Sequence, residues 1–214
     1  MMFRNNSEGN NTRNHTHIYQ EYESTIYALT AAIDAKDHYT FSHSNNVAYY
    51  ATSLATTLGM NEDMIEIIRQ AALLHDVGKI GIPDSILLKE GKLTSIEYEL
   101  MKQHTVIGAE IINNSENTFE EKFRKVAADI CLFHHERYDG NGYPTGLAKD
   151  AIPISAQIVS VADAYDALVH HRVYKQAYTP ETALSMIKNG ECGIFNPKLT
   201  ACLESAKSEF ENYQ

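Results

Sequence analysis

The run ISAQIVSVADAYDAL, residues 154–168, constrains the fold more than any other stretch, because it reads as an apolar helix with Asp163 inside it. An unpaired carboxylate is costly to bury in such surroundings. The helix must therefore lie inside the molecule with something cationic set against Asp163.

The rest of the chain repeats the helical period. Ile18, Tyr22, Ile26, Leu29 and Ile33 recur every three or four positions, and Val47, Tyr50, Leu54 and Leu58 mark a second helix that should stop at Gly59. Asn61 fits an N-cap, with Glu62 and Asp63 in the first turn, for a third helix through Ile65, Ile68 and Ala72 that runs to His75 and delivers the pair His75-Asp76. Thr94 with Glu97 has capping-box spacing and opens a helix towards His104, with TVIGAEII as a further short helix after Thr105. Phe119 to His134 is helical in period until DGNGYP breaks it. Pro180–Lys188, with Thr179 as cap, and Pro197–Phe210 complete the set. No strand or internal repeat stands out, so the fold class is all-α.

With 214 residues, 43% of them apolar, the chain can bury one core, and no stretch approaches the roughly 18 apolar residues of a membrane span. The first 17 residues, MMFRNNSEGNNTRNHTH, read as a disordered polar leader rather than a signal peptide. They are too short and polar to fold as a preceding domain, which leaves residues 18–214 as the functional domain. Three scattered cysteines suit reduced thiols in a cytoplasmic protein. A net charge of −10 argues against DNA or anionic lipid as partner, so an anionic ligand must meet a locally positive pocket.

Of ten histidines, His43, His75, His104, His134 and His135 stand at or just beyond helices, in company with aspartates. Imidazole and carboxylate together suit iron, manganese or zinc, and one carboxylate can bridge two ions, which suggests a dinuclear site. His15, His17, His38, His170 and His171 read as solvated.

The runs HDVGKIGIPD (75–84), HTVIG (104–108), HHERYDGNGYP (134–144) and ISAQIVSVADAYDAL resemble the HD-GYP family of phosphohydrolases, over about residues 20–210. The resemblance implies an HD-domain-like helical bundle with a GYP loop and two divalent ions, iron or manganese. It implies His43, His75, Asp76, His104, His134, His135 and Asp163 as ligands, with Asp76 as bridge. One ion would take His43, His75, Asp76 and Asp163, and the other Asp76, His104, His134 and His135. A water or hydroxide shared between the ions would then attack a phosphodiester of cyclic di-GMP, giving pGpG and onward GMP. Lys79 would contact that nucleophile or a phosphate oxygen.

The resemblance also makes Tyr143 part of the substrate pocket and the GYP loop a contact for a signalling partner. Gly142 would supply a backbone conformation closed to other residues, and Pro144 would stiffen the loop's exit. HHRVYKQAYTP (170–180) resembles the segment that holds guanine or phosphate, with Arg172 and Lys175 as the basic residues. Here Lys175 replaces an arginine, Val173 a proline and His171 an aspartate, and a lysine lacks the planar fork that pairs bidentately. Tyr39 stands where some members place a carboxylate for a third metal, so two ions are expected. Asp166 is expected to orient a ligand or an arginine. Two other readings remain: hydrolysis of another cyclic dinucleotide such as cyclic GMP-AMP, and a non-catalytic sensor. Regulation through a partner, homodimerisation or metal redox state is left open.

Overall fold

The computed structural model describes residues 8–37, 42–170 and 177–213, with side chains described from residue 23 onward except at 208, 211 and 212. Among these there is no strand; the elements are α1 (Glu8–Asp37), α2 (Ser42–Thr57), α3 (Glu62–Ala72), a 3-10 turn (Val77–Gly81), α4 (Asp84–Leu87), α5 (Ser95–Asn113), α6 (Glu121–Phe133), α7 (Ile154–Val169), α8 (Pro180–Lys188), α9 (Pro197–Ser205) and α10 (Lys207–Asn212). A second 3-10 turn, Lys149–Ala151, leads into α7.

The apolar helix expected around Asp163 is α7, and it sits at the centre, packed against α2, α6, α8 and α9. Ile158, Val159, Val161, Ala162 and Tyr165 are fully buried. Each buried Ile or Val there contributes about 1.5–3 kcal/mol over the exposed state. Small residues at Ser155, Ala156, Ser160 and Ala162 let neighbouring helices approach closely enough to reach α7 from several sides. Tyr50 of α2, Tyr165 of α7 and Phe210 of α10 pack with ring centres 4.6–5.0 Å apart and close the side of the core formed by α2, α7 and α10.

Several expected caps are present. Asn61 accepts from the Met64 amide, Thr94 and Glu97 form a reciprocal capping box, and Thr179 accepts from the Thr182 amide with Pro180 following. Gly59 ends α2 at φ +78°. All three cysteines are free thiols. No described helix is long and apolar enough to cross a membrane.

Four local expectations need correction. Residues 8–17, expected as an irregular leader, continue α1 as helix, since elongating a helix already nucleated by 18–33 needs no further nucleus. α3 stops at Ala72 rather than carrying His75-Asp76: the amides of Leu74, His75 and Val77 bond carbonyls three residues back and tighten the chain into the 3-10 turn. The stretch 95–113 is one helix, because Gly108 earns its place by packing against Gly78 and Cys131 instead of breaking the helix. The C-terminal helix divides at Ala206 (φ −85°, ψ 2°), beyond which Phe210 turns into the core.

Candidate metal centre

Five separate parts of the chain bring the histidines and aspartates together. His43 comes from the first turn of α2 and Asp163 from the middle of α7. His75 and Asp76 lie in the turn after α3, His104 in α5, and His134 and His135 just beyond α6. Donor atoms of Asp76, His104, His134 and His135 all lie within 4.8 Å of one another, and so do those of His43, His75 and Asp163. Asp76 faces both groups with different oxygens. Its Oδ1 is 3.3 Å from His104 Nε2 and 3.8 Å from His134 Nε2, while its Oδ2 is 3.3 Å from His75 Nε2. His43 Nε2 is 3.6 Å from Asp163 Oδ1, so an imidazole stands against the carboxylate for which a cation was expected.

The local backbone sets the tautomers. His75 Nδ1 donates to the Ala72 carbonyl and His104 Nδ1 to the Met101 carbonyl, both at 2.7 Å, and His134 Nδ1 donates to the Ile130 and Cys131 carbonyls at 3.0 and 3.1 Å. For His104 and His134 this holds the proton on Nδ1 and leaves an Nε2 lone pair aimed inward. For His75, burial is outweighed by the Asp76 carboxylate, which pushes the pKa up to about 9. His43 Nδ1 donates to Asp166 Oδ2 at 2.7 Å, and Asp166 also accepts from Asn46 at 2.9 Å. The carboxylate of Asp166 stays ionised despite its burial because His170 and His43 hold its pKa down. His170, expected to be solvated, is instead partly buried, with Nδ1 2.8 Å from Asp166 Oδ1.

Electrostatics test whether divalent ions fit here. Burial pushes the pKa of His134 down to about 3, and pushes those of His104 and His135 down as well. These rings are neutral at physiological pH. The Nε2 lone pairs of His104 and His134 therefore face Asp76 Oδ1 with no proton between, an arrangement that repels unless a cation sits among them. Consistent with this, Nε2 of His75, His104 and His134 and Oδ1 of Asp76 are all buried without a hydrogen-bond partner. Separations of about 3.0–3.4 Å are those of neighbouring ligands each about 2.1 Å from one ion. Two ions sharing Asp76 fit this donor set. Burial opposes ionisation of Asp76, but Lys79 and His75 outweigh it and hold its pKa well below the carboxylate range.

Lys79 is not solvated. Its Nζ bridges Asp76 Oδ2 at 2.9 Å and Asp37 Oδ2 at 2.7 Å, the latter at the last residue of α1. Asp37 was not singled out in the sequence, although an acidic residue in the last turn of a helix opposes the helix dipole and signals another purpose. Asp34, one turn earlier, also turns towards this region; burial raises its pKa and His43 opposes the rise.

The GYP loop is anchored to the histidine pair by Glu136, the residue after His135. The Glu136 carboxylate is 2% exposed and accepts from the Thr145 amide and hydroxyl, both at 2.8 Å, and from the Gly146 amide at 3.0 Å. Tyr143, before a cis bond to Pro144, stacks on His135 with ring centres 4.7 Å apart, and its amide donates to the His135 carbonyl. The role expected of Gly142 needs correction. The positive φ of this loop belongs to Gly140 (+83°) and Gly146 (+72°), whereas Gly142 is required for space: a Cβ there would lie 2.3 Å from the Arg137 amide nitrogen and 2.4 Å from Glu136 Cα.

We expect Glu136→Ala to lose about 2–3 kcal/mol in denaturant unfolding, because three donors lose one buried acceptor. Glu136→Gln, which keeps an acceptor oxygen, should lose less. An alanine variant as stable as the parent would remove the anchoring role.

Tyr39, His38, His171, Arg172, Val173 and Lys175, the last four in the segment expected to hold guanine or phosphate, lie outside the described residues.

A family model described as an HD domain matches residues 27–199, and the chain belongs to that family of histidine-aspartate domains. Its particular branch is HD-GYP. It is 42% identical over 194 residues to the cyclic di-GMP phosphodiesterase response regulator RpfG of Xanthomonas campestris pv. campestris, covering 91% of this chain and 50% of that one. It is 40% identical to the 3'3'-cGAMP-specific phosphodiesterase 2 of Vibrio cholerae, over 86% of this chain and 35% of that one. The chain thus spans half the length or less of these curated relatives. In fold it resembles Bd1817, an HDG"Y"P protein from Bdellovibrio bacteriovorus, with a TM-score of 0.62 at 20% identity, covering 90% of this chain and 67% of that one.

Proposed function

We propose that this chain is a metal-dependent phosphodiesterase that opens cyclic di-GMP to pGpG, with onward cleavage to GMP. The observation that carries this reading is Asp76, whose two oxygens face two separate groups of histidines. Two divalent ions held there, iron or manganese, would supply a water activated at neutral pH and neutralise charge on the attacked phosphate. His43, His75, Asp76 and Asp163 would hold one ion; Asp76, His104, His134 and His135 would hold the other. Lys79, fixed by Asp37, would present its ammonium at the edge of the reacting phosphate. Asp166 and the carbonyls of Ala72, Met101 and Ile130 keep each imidazole proton on Nδ1 and each Nε2 turned inward. Tyr143, with Arg172 and Lys175, would contact the substrate beyond the ions, and the GYP loop would meet a signalling partner.

A second reading, hydrolysis of cyclic GMP-AMP, is favoured by the loss of the arginine fork at Lys175 and by the relative named as 3'3'-cGAMP-specific. A sensor without turnover is disfavoured by the complete donor set. Purified protein loaded anaerobically with Fe²⁺ or Mn²⁺ should cleave cyclic di-GMP with the higher kcat/KM of the two dinucleotides. Cleavage of the mixed dinucleotide alone would select the second reading. Binding without turnover under either metal would select the sensor.

A further inference from the structure

Tyr98 and Lys102 lie one turn apart on α5, just before His104. The Lys102 ammonium sits 4.9 Å from the Tyr98 ring centre and 5.4 Å from that of Tyr143, and the two rings meet edge to face at 6.2 Å. Tyr143 in turn stacks on His135. An aromatic and cationic surface therefore runs from the Asp76–His104–His135 group out to Tyr98, which is 45% exposed.

The cations around this surface differ in what holds them. Lys79 is tied to Asp37 and Asp76 within the site, and Arg137 lies below the loop, bonded to Ser160 and over Phe195. Lys102 pairs at 2.7 Å with Glu99, whose side chain is 68% exposed. An ion pair so open to water holds its lysine weakly and can be exchanged for a better anion.

This inference rests on the proposed cyclic-dinucleotide hydrolysis. Such a substrate has two phosphodiesters and two bases, and the metal groups act on one phosphodiester at a time. The half not being cut needs a cation and a flat ring to be held by. We propose that Tyr98, Lys102 and Tyr143 form the subsite for that half. Lys102 Nζ leaves Glu99 to donate to the second phosphodiester, while the exposed face of Tyr98 stacks a purine. A helix-supporting Tyr–Lys pair alone would alter stability without distinguishing one substrate from another.

The test uses the full chain loaded with Mn²⁺ and compares kcat/KM for two substrates. One is whichever of cyclic di-GMP and cyclic GMP-AMP the parent cleaves. The other is bis(p-nitrophenyl) phosphate, which has no second phosphate. Lys102→Met should lower the ratio of the two constants about tenfold, chiefly through KM for the dinucleotide, as loss of one charge-assisted contact does. Lys102→Arg should restore most of the ratio, and Tyr98→Ala should lower it about fivefold, as loss of a stacking contact does. An unchanged ratio overturns the subsite, whether both constants fall together or neither moves. A parent protein that cleaves the small diester but no cyclic dinucleotide overturns the proposed function and the subsite with it. Dinucleotide cleavage with an unchanged Lys102→Met ratio overturns the subsite alone.

Discussion

Asp76→Ala should lose cyclic-dinucleotide hydrolysis by about a thousandfold or more, with its helical content intact. The carboxylate faces both sets of imidazoles, with Oδ1 towards His104 and His134 and Oδ2 towards His75. Its removal would take a ligand from each proposed ion at once and leave Lys79 paired with Asp37. The fold does not depend on it, since Leu74, Val77, Ile130 and Ala162 around the site are buried in the apolar core. The assay is single-turnover hydrolysis by metal-loaded protein beside a circular dichroism spectrum. Undiminished turnover in Asp76→Ala would remove the bridging role, whereas unfolding would mean the carboxylate holds the fold as well.

Gly78→Ala should be nearly as damaging by a different route. A Cβ at this position would fall 1.8 Å from the His104 carbonyl oxygen and 2.4 Å from the Gly108 nitrogen. Both neighbours are backbone atoms inside α5, so no side chain can swing aside. The 3-10 turn must back away from α5, and Asp76, two residues earlier, must move away from His104 with it. Overpacking of this kind costs about 3 kcal/mol, and a displacement of about 1 Å in a reacting constellation costs about a hundredfold in rate. We expect denaturant unfolding to show the first effect and metal-saturated kinetics the second. A Gly78→Ala protein with parental stability and rate would mean that the close approach of turn and helix does not position Asp76.

Part of the site was legible in the sequence. Asp163 announced itself as a carboxylate within an apolar helix, and α7 is buried as that required. The adjacency of His134 and His135, with turn formers after them, marked a helix end facing something, and the structure brings both beside Asp76 and His104. Capping signals at Asn61, Thr94 and Thr179 gave helix starts correctly because they are local chemistry between residues two or three apart.

What escaped was set by long-range contact. Asp37 is a polar residue on an amphipathic helix until α1 meets the turn that carries Lys79, 42 residues later. Glu136 stood in the open within HHE, yet its use as the acceptor for Thr145 and Gly146 depends on how the loop folds back. The space that forbids a side chain at Gly142 is made by Glu136 and Arg137, so a φ-based expectation for that glycine failed where a packing one holds. The end of α3 was misplaced by three residues because nothing local breaks it. The departure into the 3-10 turn is drawn by the contact of Gly78 with α5.

The proposed chemistry requires two ions that share Asp76. Metal titration of anaerobically prepared protein, read by elemental analysis after removal of unbound metal, tests it most directly. The parent should saturate at two ions per chain, His43→Ala and His104→Ala at one each, and Asp76→Ala below one. A parent that never exceeds one ion, or histidine variants that both retain two, would contradict it.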